Sequence, residues 1–116
     1  MASALHNHSE YSVLDGFSHP KEYLERAKEI GLKAFAITEH GNQYRWVYFD
    51  KLKKDYPDIK MIYGVELYEC FDMHVQDPNS KYFHLIALAK NETGRIALNE
   101  IITASNFEGF YYKPRV

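Results

Sequence analysis

Lys33-Ala34-Phe35-Ala36-Ile37-Thr38-Glu39-His40-Gly41 decides how this chain is read. Its first part, KAFAIT, is a short apolar run of the kind that forms a strand buried on both faces. The run then breaks at an acid, a histidine and a glycine. A buried strand that ends abruptly in ionisable residues marks a strand-to-loop switch. In parallel β/α folds that is the edge where sites are assembled.

The pattern repeats on both sides of this stretch. Leu5–His8 reads as a short strand and Asp15-Gly16 as a turn. Pro20 is well placed as a first helical residue, and Tyr23, Leu24, Ala27 and Ile30 recur at helical spacing until Gly31 stops the run. Gln43–Asp55 is predicted helical, with Trp46, Phe49 and Leu52 on one face and Pro57 beyond its end. Met61–Tyr68 reads as a third strand and Asp77-Pro78-Asn79-Ser80 as a turn cluster. Tyr82–Ala89 is a fourth strand, and Asn91 caps a last helix carrying Leu98, Ile101 and Ile102. Strand–helix alternation of this kind predicts an α/β fold of about four parallel βα units. That makes a half-barrel or a small open sheet, whose edges need covering.

At 116 residues the chain can form one modest domain. Ten Tyr, seven Phe and one Trp favour a packed fold or a large interface. Fourteen basic and sixteen acidic residues leave a net charge of −2, so any contact with nucleic acid is local or supplied by another domain. The single cysteine, Cys70, excludes an internal disulfide and suits a reducing compartment. The N-terminal residues do not read as a signal peptide, and no apolar run is long enough to span a membrane, so the cytoplasm is the expected location.

Each predicted strand carries a metal-ligand residue type near one end. His6 and His8, two positions apart on a strand, leave the same face and can converge on one cation. With six histidines in the chain, a stray His-x-His arises readily by chance, and the pair alone is a weak signal. His40 closes the second strand, and Glu66 lies two places after Gly64 in the third. His84 sits inside the apolar run YFHLIALA, where a histidine is more often a satisfied core residue. Asp15 in the first loop can bridge or cap a further ion. Taken together, imidazoles and carboxylates in this mixture suit zinc, manganese or iron rather than calcium.

The stretches His6–Ser12 with Leu14-Asp15-Gly16, Thr38-Glu39-His40-Gly41-Asn42, Gly64–Tyr68 and His84–Asn91 resemble the PHP (polymerase and histidinol phosphatase) domain. More narrowly, together with the tail Glu108–Arg115, they resemble the N-terminal PHP domains of bacterial family C replicative polymerases, the DNA polymerase III alpha subunits. The resemblance runs from residue 5 to the end.

It implies the N-terminal portion of a distorted, TIM-like β/α barrel, with residues 1–116 a partial PHP domain. It also implies that His6, His8, Asp15, His40, Glu66 and His84 are metal ligands. Glu66 would bridge two ions, and catalytic roles would fall to Glu66, His8 and His40. Up to three divalent ions, zinc foremost, are expected in a complete domain. The activity implied is metal-dependent phosphoester hydrolysis of the 3′–5′ exonuclease type, in the service of DNA replication. Implied partners are the remaining polymerase domains or replisome subunits and DNA through the parent protein; the open barrel edge itself adds a second copy of the chain as an expected partner. No membrane partner is expected.

Two departures stand out. Glu39 occupies a position where the family more often has Asp. The chain also stops after the fourth predicted βα unit, before the family's closing Asp-x-His and before any polymerase carboxylates. Two alternatives follow: a PHP module that only packs against polymerase domains, or a fragment of a stand-alone phosphatase. Asp72-Met73-His74 reads as an incidental surface loop, His19 as a surface residue, Cys70 as a packing residue, and Lys113 and Arg115 as solvated charges.

Overall fold

Apolar residues at alternate positions of Ala34–His40 and Lys60–Cys70 build the centre of the molecule. Residues 2–116 are described by a computed structural model. The elements run β1 (Ser3–Ala4), α1 (Pro20–Glu29), β2 (Ala34–His40), α2 (Trp46–Leu52), a 3-10 turn (Lys53–Asp55), β3 (Lys60–Cys70), β4 (Tyr82–Leu88), α3 (Glu92–Phe107), β5 (Phe110–Tyr111) and β6 (Lys113–Pro114). The four long-range strands form one sheet in the order β1-β2-β3-β4. Phe35 and Ile37 of β2 and Met61, Val65 and Leu67 of β3 share one face. They pack there with Leu24 and Ala27 of α1, Trp46, Phe49 and Leu52 of α2, and Leu98 and Ile102 of α3. The opposite parity, including Thr38, His40, Glu66 and Tyr68, lines the other face.

The α/β class and the half-barrel of strands with helices hold, with two differences from the expected pattern. The fourth strand is not part of a parallel unit. β1, β2 and β3 are mutually parallel, whereas β4 runs antiparallel to β3. A parallel crossover needs about a dozen or more residues, usually a helix. Residues 71–81 contain neither helix nor strand, and a hairpin-like return is what such a segment allows.

The first ladder is also shorter than Leu5–His8 suggests and lies earlier, at Ser3–Ala4. The register that sets Ala4 level with Phe35 carries on to Asn7 and Thr38. There Thr38 N–H donates to the Asn7 carbonyl at 2.9 Å, but Asn7 N–H donates to Thr38 Oγ1 instead of to a backbone carbonyl. The Asn7 side-chain amide adds a bond to Ala36 O at 2.9 Å.

Local signals account for the ends of the helices. Pro20 opens α1, and Glu22 accepts the His19 backbone N–H at 2.8 Å. Asn91 caps α3 through its side-chain oxygen, which accepts Gly94 N–H at 3.0 Å. Gly64 is required by close approach. A Cβ there would lie 2.6 Å from Leu88 Cδ2 and 2.8 Å from Thr38 Cγ2, so its absence lets β2 and β4 close on β3 just before Glu66.

The last residues complete the sheet where β2 has ended. Val116 N–H donates to Tyr68 O at 2.9 Å, and Cys70 N–H donates to Val116 O at 2.8 Å. Arg115 is buried, contrary to its reading as a solvated charge. Its guanidinium donates to Gly109 O, Val75 O and Met73 O at 2.9–3.1 Å. Three carbonyls satisfy the fork and pin the 71–81 loop. Among the described residues no helix is long and apolar enough to cross a membrane.

Candidate metal centre

His40 and Glu66 face each other across β2 and β3, in register and on the same side of the sheet. His84 pairs with Tyr68, which lies two residues beyond Glu66, so it shares that side. Because β4 is antiparallel, His84 reaches this rim from the beginning of its strand, not from its end. His6 and His8 arrive beside β2 in the continued first register, and Tyr23 of α1 holds the His8 carbonyl through its hydroxyl at 2.9 Å. Asp15 comes from the loop ahead of α1. There Leu14 takes a left-handed backbone (φ +73°), and Ser12 O accepts Asp15 N–H at 2.9 Å and Gly16 N–H at 2.7 Å. All six residues named from the sequence line one cleft of about 610 Å³, together with Asn7 and Tyr23.

The carboxylate of Glu66 is the hub. His6 Nε2 lies 2.7 Å and His8 Nε2 2.8 Å from Oε2, and His84 Nδ1 lies 2.5 Å from Oε1. His40 Nε2 lies 2.7 Å from Asp15 Oδ2 and His40 Nδ1 3.7 Å from Glu66 Oε2. Three groupings result: His6, His8 and Glu66; His8, Asp15 and His40; and His40, Glu66 and His84. Within each, the offered atoms lie within 4.8 Å of one another. His8, His40 and Glu66 each belong to two groupings, so the three form a linked chain.

Electrostatics follow from this crowding. Burial and the neighbouring His40 charge push the His8 imidazole below its ordinary value. Burial alone would raise the Glu66 carboxyl. The hydrogen bond from His6 and the charges of His40, His6 and His8 outweigh it and bring Glu66 below the usual range. The hydrogen bond from His40 lowers Asp15.

The donor set fits a divalent cation on two counts. His6 Nε2, His8 Nε2 and Glu66 Oε2 stand 2.7–3.0 Å apart. Three lone-pair atoms at that spacing repel unless a proton or a cation lies among them, and zinc ligands at about 2.0–2.1 Å from the ion are only slightly farther apart. His40 Nδ1 is buried without a hydrogen-bond partner among the described residues and faces Glu66.

Behind the rim lies a layer that residue type alone did not reveal. Glu39, with no exposure at all, sits on the core side of β2. Its carboxylate accepts the Ser9 backbone N–H at 3.1 Å and the hydroxyls of Ser9 and Ser12. Ser12 Oγ in turn lies 3.0 Å from His8 Nδ1 and 3.4 Å from His40 N. The available signal was the parity of Glu39. One step from His40 on a buried strand, it has to point into the core and find donors there. Gly16 packs flat on this layer, since a Cβ would fall 1.8 Å from Ser9 O.

Residues set aside in the sequence stay outside the three groupings. His19 caps α1 with its ring against Glu10, and Asp72 Oδ1 accepts His74 N–H in the surface loop. Cys70 is half-buried at the end of β3.

A profile of the PHP domain matches residues 4–116. The chain is 43% identical over 116 residues to the DNA polymerase III subunit alpha of Treponema pallidum, covering 97% of this chain and 10% of that protein. It is 39% identical over 114 residues to the subunit of the same name from Helicobacter pylori, covering 97% and 9%. The chain therefore spans about a tenth of the length of these curated relatives. Among solved structures, one described as a metal-dependent phosphoesterase from Bifidobacterium adolescentis superposes with a TM-score of 0.59 at 21% identity, over 90% of this chain and 34% of that one. An amidohydrolase from Chromobacterium violaceum gives 0.58 at 20% identity, over 90% and 34%. These two likenesses concern the fold.

Proposed function

The chain belongs to the PHP domain family, and from that premise we propose that it is the N-terminal PHP segment of a DNA polymerase III alpha subunit, carrying a metal-dependent phosphoesterase site of the 3′–5′ exonuclease type. The observation that carries this reading is the convergence of His6, His8, Asp15, His40, Glu66 and His84 into three linked groupings. Those six would hold up to three divalent cations, zinc foremost and manganese or iron as alternatives, with Glu66 shared between two of them. When bound, such cations supply Lewis acidity toward a phosphoryl oxygen and neutralise the charge that develops there.

The residues of the chain do the remaining work. Asp15 holds the His40 ring through Nε2, which leaves His40 Nδ1 turned toward Glu66. His6 lies against Oε2 of Glu66 and His84 against Oε1, so contacts on both oxygens orient the carboxylate. A phosphodiester at the rim needs positioning and electrostatic stabilisation, not a serine or cysteine nucleophile. Catalytic roles accordingly go to Glu66, His8 and His40.

Metal analysis of the purified chain beside a His6→Ala/His8→Ala double variant tests the site. The parent is expected to retain divalent metal and the variant to lose most of it; equal retention would remove the assignment. The activity is tested on single-stranded DNA with a free 3′ end, which the metal-loaded chain is expected to shorten. A second reading, a module that only packs against other polymerase domains, is favoured by the apolar residues that β4 leaves exposed. Metal retention without any shortening of DNA would select it.

A further inference from the structure

The cleft depends on which nitrogen of His8 faces it, and a buried hydroxyl decides that. Ser12 is 3% exposed, and its Oγ meets three groups: Glu39 Oε2, His8 Nδ1 and the His40 backbone N–H. A serine hydroxyl has one proton to give and two lone pairs. The Glu39 carboxylate can only accept, so the Ser12 proton goes to it. The His40 N–H can only donate, so it takes one lone pair. The remaining lone pair faces His8 Nδ1, which must then carry a hydrogen. If Ser12 donated to His8 instead, its oxygen would be pressed lone pair to lone pair against a fully buried carboxylate.

Nothing in this corner can easily rearrange. Ser9 holds the other Glu39 oxygen through its backbone N–H and its hydroxyl. The Tyr23 hydroxyl fixes the His8 carbonyl, and the flat contact of Gly16 on Ser9 sets the height of the loop.

We infer that Ser12 is a positioning residue: oriented by Glu39, its hydroxyl fixes His8 as the Nδ1–H tautomer and turns the Nε2 lone pair toward His6 and Glu66. The inference rests on the reading of the cleft as a cation site. In the other tautomer a hydrogen on Nε2 would occupy the space among His6 Nε2, His8 Nε2 and Glu66 Oε2 that a cation needs. A partner behind a ligating histidine commonly sets its tautomer in this way, and losing one lowers metal affinity about 10–100-fold.

The test has a readout that needs neither metal nor activity. In the metal-free chain with ¹⁵N-labelled histidine and the imidazoles neutral, ring proton–nitrogen correlations report each tautomer. His8 is expected as Nδ1–H in the parent, with a hydrogen on His6 Nε2 lying between His8 Nε2 and Glu66 Oε2 where the cation would otherwise sit. Glu39→Gln is nearly isosteric, but its amide can donate to Ser12 Oγ, which frees the Ser12 proton for His8 Nδ1. His8 is then expected to switch to Nε2–H, and Zn²⁺ affinity, read by competition with a chromophoric chelator, to fall about 10–100-fold. Ser12→Ala is expected to lose the preference, and Ser12→Thr, which keeps the hydroxyl, to retain it.

Dispersed amide resonances identify the variants that fold. A folded Glu39→Gln chain that keeps His8 as Nδ1–H and binds Zn²⁺ as tightly as the parent would overturn the inference, as would Nε2–H in the parent. A parent that binds no Zn²⁺ defeats the cation reading of the cleft, while the His8 tautomer still decides the role of Ser12.

Discussion

Glu66 is nearly buried, yet four histidines lie within 4 Å of its oxygens, and that imbalance sets how the chain responds to acid. His8 is held below its reference value of 6.5, mainly by burial. A group with a lowered pKa binds protons less readily in the folded chain than in the unfolded one. Its contribution is therefore fully present above 6.5 and is lost as pH falls through the folded value. Glu66 and Asp15 repeat the same sign below 4.5 and 3.8. The urea midpoint of the metal-free chain is expected to start falling below pH 6.5, before the carboxylates titrate. In His8→Ala that early part of the fall should vanish while the later part stays.

Gly16 gives a steric prediction. A methyl group there meets the Ser9 carbonyl at 1.8 Å, so Gly16→Ala should cost about 1–3 kcal/mol in urea unfolding and displace Asp15. An unchanged midpoint would show that the loop yields freely. His6, His8, His40 and Glu66 stand out in the sequence as ionisable side chains near the ends of apolar runs, whereas His84, inside such a run, and Asp15, in a loop, join them as ligands through the resemblance to the PHP domain. Ser12 does not stand out, since a hydroxyl gains meaning only from the three groups folding brings around it. Arg115 was misread for a related reason: its place near the end suggests solvent, and its three carbonyl partners lie as far away in sequence as Met73.

Strands and helices were legible where periodicity was strong. α1 begins at Pro20, α3 is capped by Asn91, and Trp46, Phe49 and Leu52 are buried on one face of α2 as their spacing requires. The direction of β4 was missed, although residues 71–81 carry no helical pattern and so cannot form a crossover helix. β4 also shows what an edge leaves open. Phe83 and Leu85 are 64% and 45% exposed on one face, and Tyr82 and Leu88 are exposed on the other. An edge strand with apolar side chains and no internal charge is prone to pair with other chains. Phe83→Lys is expected to reduce concentration-dependent association in analytical ultracentrifugation while moving the melting temperature little. Unchanged association would place the sticky surface elsewhere.

At the scale of the molecule, the chain is extended for its size. Its radius of gyration is 15.0 Å, where about 13.4 Å is typical of a compact domain of this length. Its accessible surface is 7523 Å², where about 6,600 Å² is typical for this mass. The stability of such a chain is raised by whatever binds the folded state alone. Zn²⁺ at a hundred times its dissociation constant is expected to add about 2.7 kcal/mol, seen as a rise in melting temperature that scales with free Zn²⁺. Melting that is indifferent to Zn²⁺ would contradict this.

The clamp formed by Arg115 and Val116 also gives the sheet an order of assembly. Residues 68–70 of the third strand find their second neighbour only in the last residues of this sequence. A chain made from its N-terminus would present the Tyr68 carbonyl and the Cys70 amide to solvent throughout the synthesis of the intervening residues. The strand that carries the hub carboxylate is thus held by β2 and β4 over most of its length, and the edge of residues 68–70 that faces away from β4 is closed only by the segment at Val116.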